Sequence, residues 1–140
     1  MTKLPDELLD LLWGGHNIWV ATVGPDGMPN VSIKGAGALL DDGNLYFADM
    51  FSHKTRENIQ HDDRVAVGIH DPERKIAMQV KGHAALLTEG DAFDQISERV
   101  AKLSAKLNLP PVRYVVKIEV DSVWDMGPGP HAGLEIQQGD

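Results

Sequence analysis

The 140-residue sequence contains no cysteine. Without thiols the chain can form no disulfide, no thiolate zinc site, no iron–sulfur cluster and no cysteine nucleophile. Long apolar runs are also missing, since no segment approaches the ~20 apolar residues that a membrane helix needs. Acidic residues interrupt the apolar stretch within residues 1–15, which predicts that this segment is not a signal peptide. We therefore expect a cytoplasmic protein that does not enter a membrane.

Positive charge is scarce. The chain has 13 Lys and Arg against 21 Asp and Glu, a formal net charge of −8. Proteins that bind nucleic acid by neutralising phosphates, and polybasic proteins that bind membrane surfaces, need the opposite excess. The composition therefore predicts neither nucleic-acid nor membrane partners.

Familiar catalytic motifs are absent as well. The six histidines show no HExxH or other ligand spacing, so no metal site is predicted. The sequence has no GxSxG, P-loop or GxGxxG element, which excludes the corresponding hydrolases, nucleotidases and dinucleotide-binding proteins. The sequence identifies no catalytic residue.

Alternating apolar residues and turn signals predict a mainly β fold with peripheral helices. We expect strands at 18–23, 29–40, 45–48, 64–69, 75–87 and 113–124, and helices at 4–13, at 52–61 and from the Thr88 capping box to Leu107. Two tight hairpins require antiparallel pairing. The prediction is one domain over residues 1–127, a six-stranded antiparallel barrel, followed by a C-terminal tail at 128–140. Nothing in the sequence shows that the barrel closes.

Residues 52–56, Ser-His-Lys-Thr-Arg, form a candidate anion site. Ser52 is predicted as the N-cap of the second helix, whose first amides and dipole attract an anion. Hydroxyl groups and cations in the same turn match a phosphate. Cations there oppose the helix dipole, so a purely structural role fits poorly. The alternative is a solvated basic first turn.

Lys34 is a second candidate. It follows Ser32 by two residues in a predicted strand, so both side chains share one face. Lysines on strands are usually solvated. Lys34 becomes a ligand-binding residue only if the barrel brings it beside Lys54.

These segments resemble the flavin-binding split-barrel family related to pyridoxamine 5′-phosphate oxidase. Residues 31–35, Val-Ser-Ile-Lys-Gly, are similar to the family's first flavin strand. Residues 45–54, with Asn58-Ile59 and 63–67 after them, resemble its aromatic strand, the Ser-Arg-Lys helix start and the next strand. The stretch with His53-Lys54-Thr55 is also similar to small electron-carrying FMN-binding proteins of this fold. The order and spacing of these motifs are fairly specific.

The resemblance implies a homodimer that holds FMN in a cleft between its two subunits. It implies that Lys34 and residues 52–55 surround the phosphate, and that backbone at 30–33 and 47–49 lines the flavin ring. Gln79 lies two residues later than the family's flavin-contacting glutamine. The implied cofactor-binding residues are Asn30, Val31, Ser32, Ile33, Lys34, Phe47, Ala48, Asp49, Ser52, His53, Lys54, Thr55 and Gln79.

The sequence also departs from the oxidase pattern. Pro29 and His53 replace two of its arginines, and its C-terminal substrate motif has no counterpart at 124–130. Pyridoxamine phosphate is therefore not expected as the substrate. We predict a small FMN oxidoreductase or electron carrier whose donor is a pyridine nucleotide or a redox protein. The alternatives are a deazaflavin (F420) reductase and a non-catalytic module that binds flavin, haem or a B6 phosphate.

Overall fold

The structure is a computed structural model that describes residues 4–13, 16–35, 37–40 and 42–136. A curled antiparallel sheet forms most of it, with three helices around the sheet. In chain order the elements are α1 Asp6–Trp13, β1 Ile18–Val23, β2 Pro29–Lys34, β3 Gly37–Leu39, β4 Leu45–Asp49, α2 Lys54–His61, β5 Arg64–Asp71, β6 Ile76–Leu87, α3 Asp91–Leu107 and β7 Tyr114–Asp125. The mainly β prediction with peripheral helices is confirmed.

The sheet has seven strands where the sequence predicted six, because the predicted strand at 29–40 is divided. The first part ends at Lys34 and the second begins at Gly37, and the two parts pair with different neighbours. The strand order is β2-β1-β5-β6-β7-β4-β3, which places β2 and β3 at opposite edges. A glycine in a strand often marks such a bend, and Gly35 stands at this one.

The short link between β2 and β3 shows that the sheet curls. Lys34 and Gly37 are three residues apart, so their Cα atoms lie within about 11 Å of one another. Seven strands in a flat sheet would separate its two edges by roughly 29 Å. The sheet must therefore wrap round until its edges approach, which gives a barrel split between β2 and β3.

Alternate strand residues fill the barrel. Ile18 and Val20 of β1 face Val67 and Ile69 of β5, and all four are buried in one apolar cluster. Helix α1 adds Leu8 and Leu11 to this cluster, whereas α3 packs on a second, smaller cluster around Tyr46 and Val115. Large buried aliphatic side chains of this kind typically stabilise a domain by about 2–5 kcal/mol each when compared with alanine.

Gly82 sets the register of the two longest strands. The β6–β7 pairing shifts between Lys81 and Gly82. A Cβ atom built at Gly82 would lie 2.1 Å from the carbonyl oxygen of Glu119, a distance that real Cβ atoms do not reach. Only glycine allows the two backbones to approach this closely.

After β7 the chain turns back on itself. The amide of Ile136 donates to the carbonyl of Val123 at 2.8 Å, and Glu135 forms a β-bridge with Trp124. The described part of the predicted tail is thus hydrogen-bonded to β7. In the part of the chain that the structure describes, no helix is long and apolar enough to cross a membrane.

Candidate functional site

An ion pair between Lys34 and Asp49 spans the split in the barrel. Lys34 ends β2 and Asp49 ends β4, and these strands are not neighbours in the sheet. Their Nζ and Oδ1 atoms are 3.4 Å apart, with side chains 11% and 1% exposed. Removing two charges from water costs several kcal/mol per ion, so such a pair is weak evidence for a purely stabilising role.

Asp49 also orders the loop between β4 and α2. Its Oδ1 accepts a hydrogen bond from the amide of Ser52 at 2.9 Å. The carbonyl of Ser52 accepts one from the Tyr114 hydroxyl at 3.1 Å. Burial raises the pKa of Tyr114 to about 12, and the charge of Asp49 adds to this rise. Asp49 Oδ2 is buried and has no hydrogen-bond partner among the described residues.

Helix α2 begins without a side-chain cap. The predicted N-cap, Ser52, is wrong: the N-cap is His53, which makes no side-chain capping hydrogen bond. The carbonyl of an N-cap residue accepts the first helical hydrogen bond. The Ser52 carbonyl accepts from the Tyr114 hydroxyl instead, so the helix begins at Lys54. The first intrahelical bond runs from Glu57 N–H to the His53 carbonyl. The amides of residues 54–56 come before this bond and have no acceptor within the helix. They point out of the helix start, which is where an anion binds best.

Hydroxyl groups connect the start of α2 to β2. Ser32 Oγ and Thr55 Oγ1 are 2.8 Å apart, and Thr55 is buried. Beneath them Asn58 donates to Thr22 Oγ1 at 3.0 Å, while Asn58 Oδ1 is buried without a partner in the described chain. The structure thus places predicted site residues from β2, β4 and α2 around one polar cluster at the barrel split.

The two faces of β2 differ. Ser32 and Lys34 face the polar cluster, whereas Val31 and Ile33 are 62% and 53% exposed on the opposite face. Within the described residues β2 pairs with β1 alone, so it is an edge strand. An edge strand presents backbone N–H and C=O groups that can bind a ligand. This placement suits the backbone role that the resemblance gives to residues 30–33.

Gln79 lies apart from the other predicted residues. It sits on β6 between Gly68 and Trp124, and its side-chain nitrogen is 3.7 Å from Met126 Sδ. Three strand spacings, roughly 14 Å, separate β6 from β2. Within one chain the structure does not bring Gln79 to the polar cluster.

Two arginines and a tyrosine beside the cluster are absent from the residues that the resemblance implied. The guanidinium carbons of Arg56 and Arg113 lie 5.8 and 5.9 Å from the centre of the Tyr114 ring. Tyr114 reaches the site because β7 pairs with β4, opposite Asp49. The alternating apolar residues at 113–124 predicted a strand, but they did not predict which strand it pairs with. No group of three or more His, Asp and Glu side chains in the described ranges is arranged to hold a metal ion.

Comparison with solved structures shows that the fold is shared. HupZ of Group A Streptococcus has a TM-score of 0.77 at 25% identity, covering 93% of this chain and 99% of that one. An FMN-binding protein from Syntrophomonas wolfei has a TM-score of 0.73 at 19% identity, with coverage of 87% and 88%. An F420 reductase has a TM-score of 0.65 at 21% identity, with coverage of 86% and 98%. The last two proteins are less than 25% identical to this chain, so their likeness shows the fold alone.

Comparison at the sequence level shows the family. An uncharacterized protein of Methanocaldococcus jannaschii is 33% identical over 138 residues, which cover 97% of this chain and 89% of that protein. The family model of pyridoxamine 5′-phosphate oxidase matches residues 4–127. The split barrel, its polar cluster and this match agree with the resemblance seen in the sequence, and the chain belongs to the pyridoxamine 5′-phosphate oxidase family.

Proposed function

We propose that this protein is a homodimeric FMN-binding flavoprotein that acts as a small oxidoreductase or electron carrier. The observation that supports this most strongly is the polar cluster at the barrel split, where Lys34 and Thr55 meet the uncapped start of α2. Its electron donor is a pyridine nucleotide or a redox protein.

The residues present fit the phosphate of FMN. Amides 54–56 and the hydroxyls of Ser52 and Thr55 are hydrogen-bond donors, Lys54 adds a cation, and the His53 ring adds a further N–H donor. Lys54 has no carboxylate within 4.0 Å among the described residues, whereas Lys34, Arg64 and Arg74 do. Charge-assisted bonds to phosphate are about twice as strong as neutral ones.

The flavin ring would lie along the edge of β2. Backbone groups of residues 30–33 on this free edge would bind its polar atoms, and the exposed apolar side chains of the same strand would shield it from water. FMN supplies the hydride or electron transfer, while the protein binds, orients and screens the cofactor.

A second copy of the chain would cover the outer face, defined here as Trp19, Val31 and Ile33. Trp19 pairs with Ile33 in the β1–β2 register and is 47% exposed, so the three side chains form one patch. Apolar patches of this kind mark interfaces, and symmetric dimers are the commonest assembly. Gln79 lies on the same side of the sheet. Dimerisation would therefore give it a route to the partner's cofactor that a single chain lacks.

A deazaflavin (F420) reductase is the second candidate. The polyanionic tail of a deazaflavin favours a basic groove, and the net charge of −8 argues against one. Locally, however, Arg56 shares the first turn of α2 with Lys54, and Arg113 lies against the same Tyr114 ring as Arg56. This concentration of positive charge is the observation that favours the longer cofactor.

The visible spectrum of the purified protein tests the proposal. We expect a yellow protein, or one that takes up added FMN, and a dimer by light scattering. Substitution of Lys54→Gln should weaken FMN binding about tenfold, because one charge-assisted contact is lost. The matched control Lys102→Gln on α3 should change nothing. A colourless protein that takes up neither FMN nor deazaflavin contradicts the proposal, and tighter binding of the deazaflavin favours the second candidate.

A further inference from the structure

We propose that Arg56 and Arg113 form a second anion-binding subsite beside Tyr114. It is distinct from the site proposed for the flavin phosphate at the start of α2. Its ligand is a phosphate or carboxylate group carried by a cofactor that has at least two anionic groups. This inference rests on the proposed function, because the first anion is taken to be the flavin phosphate.

The first observation is a missing hydrogen-bond acceptor. Arg56 Nε is buried and has no partner in the described part of the chain. Buried polar atoms in native proteins nearly always have one, and a buried donor without an acceptor is unfavourable. A planar guanidinium group matches the paired oxygens of a phosphate or carboxylate. Such a group would satisfy Arg56 Nε.

The second observation is that two arginines share the Tyr114 ring and neither has a close carboxylate. Arg64 is 2.6 Å from Asp62, and Arg74 is 2.7 Å from Asp71. By contrast, neither Arg56 nor Arg113 has a carboxylate within 4.0 Å among the described residues. Most lysines and arginines of the described chain also lack such a partner. Arg56 and Arg113 differ in that both lie against one aromatic ring, where their charges repel each other. An anion from outside the chain would neutralise them.

The position of the two arginines explains how one ligand can reach both sites. The Tyr114 hydroxyl donates to the Ser52 carbonyl, so this ring touches the loop that precedes α2. Arg56 follows Thr55 by one residue in the first turn of the helix. Because successive helical residues project about 100° apart, Thr55 faces Ser32 while Arg56 faces the Tyr114 ring. The second subsite therefore adjoins the first in a different direction.

A purely structural role explains less. Stacking of a guanidinium on an aromatic ring is a weak interaction at an exposed site, and both arginines are near the limiting distance of about 6 Å. Stacking also leaves Arg56 Nε without an acceptor. Two cations on one ring repel each other unless an anion lies between or beside them.

A series of cofactors separates the two sites. Riboflavin has no anionic group, FMN has one phosphate, FAD has a diphosphate, and F420 has a phosphate with a carboxylate tail. We expect Arg56→Gln and Arg113→Gln to weaken binding of FAD or F420 by about tenfold, and FMN less than twofold. Arg64→Gln, which removes an arginine already paired with Asp62, is the matched control. A loss with FAD alone identifies a diphosphate ligand, and a loss with F420 alone identifies a carboxylate tail.

Equal losses for FMN and the longer cofactors, or no loss for any of them, would overturn the second subsite. A second measurement does not depend on flavin binding: inorganic pyrophosphate is titrated into the full-length chain while the side-chain Nε–Hε resonances of Arg56 and Arg64 are followed by NMR. We expect a saturable shift at Arg56 that Arg113→Gln weakens, and no such shift at Arg64. Equal behaviour of the two resonances contradicts the subsite. A shift at Arg56 without any flavin binding leaves the subsite standing and rejects the flavoprotein proposal.

Discussion

In the described part of the chain two carboxylates are buried, Asp49 and Asp71, and they have different partners. Asp71 binds the Arg74 guanidinium at 2.7 Å, His16 at 3.5 Å and the amide of Glu73 at 3.1 Å. The hydrogen bond from Arg74 lowers the pKa of Asp71. Asp49 has Lys34 at 3.4 Å and the Ser52 amide, and one of its oxygens has no partner in the described chain. Asp71 therefore stabilises a turn through several partners, whereas Asp49 has one carboxylate oxygen without a hydrogen-bond partner in the described chain.

The largest expected effect comes from Lys34→Met. It removes the cation from Asp49 and leaves a buried charge uncompensated, which typically costs about 3–5 kcal/mol of folding free energy. Urea unfolding would measure this loss. The double variant Lys34→Met/Asp49→Asn should regain much of it, because no buried charge remains. Equal instability of the single and double variants would show that the ion pair is not the cause.

Asp71→Asn should lower the Tm and leave flavin affinity unchanged. Its carboxylate stabilises the turn after β5, which lies far along the chain from the polar cluster. Because the pKa of Asp71 is lowered in the folded state, its contribution to stability is present above the unfolded pKa near 4 and is lost on acidification. Thermal melts at pH 3 to 7 test this. A changed FMN affinity would contradict the assignment of a structural role to Asp71 and a site role to Asp49.

Unlike Asp71→Asn, the substitution Asp49→Asn should change the affinity for FMN. Asparagine keeps an acceptor for the Ser52 amide but leaves Lys34 without its counter-charge. The unliganded protein should be less stable, while FMN should bind several-fold more tightly because a negative charge near the phosphate is gone. Riboflavin, which lacks the phosphate, serves as the control and should bind as before. Weaker FMN binding would mean that Asp49 orders the site more than it repels the phosphate.

The smallest expected effect concerns His83, whose Nδ1 is 2.9 Å from Asp63 and whose Nε2 is 3.1 Å from Asp121. The hydrogen bond to Asp63 raises the pKa of His83 above its usual 6.5. Its contribution to stability is therefore complete below pH 6.5 and is lost as the pH rises through the folded-state value. His83→Gln should flatten the slope of Tm against pH in this range. An unchanged slope would show that the contacts do not persist in solution.

The sequence predicted those features that depend on local patterns. The period of two placed Ser32 and Lys34 on one face of a strand, and the basic turn at 52–56 marked the start of α2. The family motifs led to the correct fold. These signals suffice because strand alternation and helix starts are set by neighbouring residues.

Contacts between distant strands were not predictable in this way. Neither the pairing of Asp49 with Tyr114 nor the approach of Lys34 to Asp49 leaves a local signal, because both depend on how the sheet closes. The N-cap was misplaced for the same reason, since the Tyr114 hydroxyl of a distant strand binds the Ser52 carbonyl. Arg113 joined the site only through its neighbour Tyr114.

The most direct test compares FMN with riboflavin in equilibrium titrations of the purified protein. If the polar cluster at the barrel split anchors a phosphate, FMN should bind about 100-fold more tightly than riboflavin, and Lys54→Gln should reduce this ratio about tenfold. Equal affinity for the two flavins, or a ratio that Lys54→Gln leaves unchanged, would contradict the account.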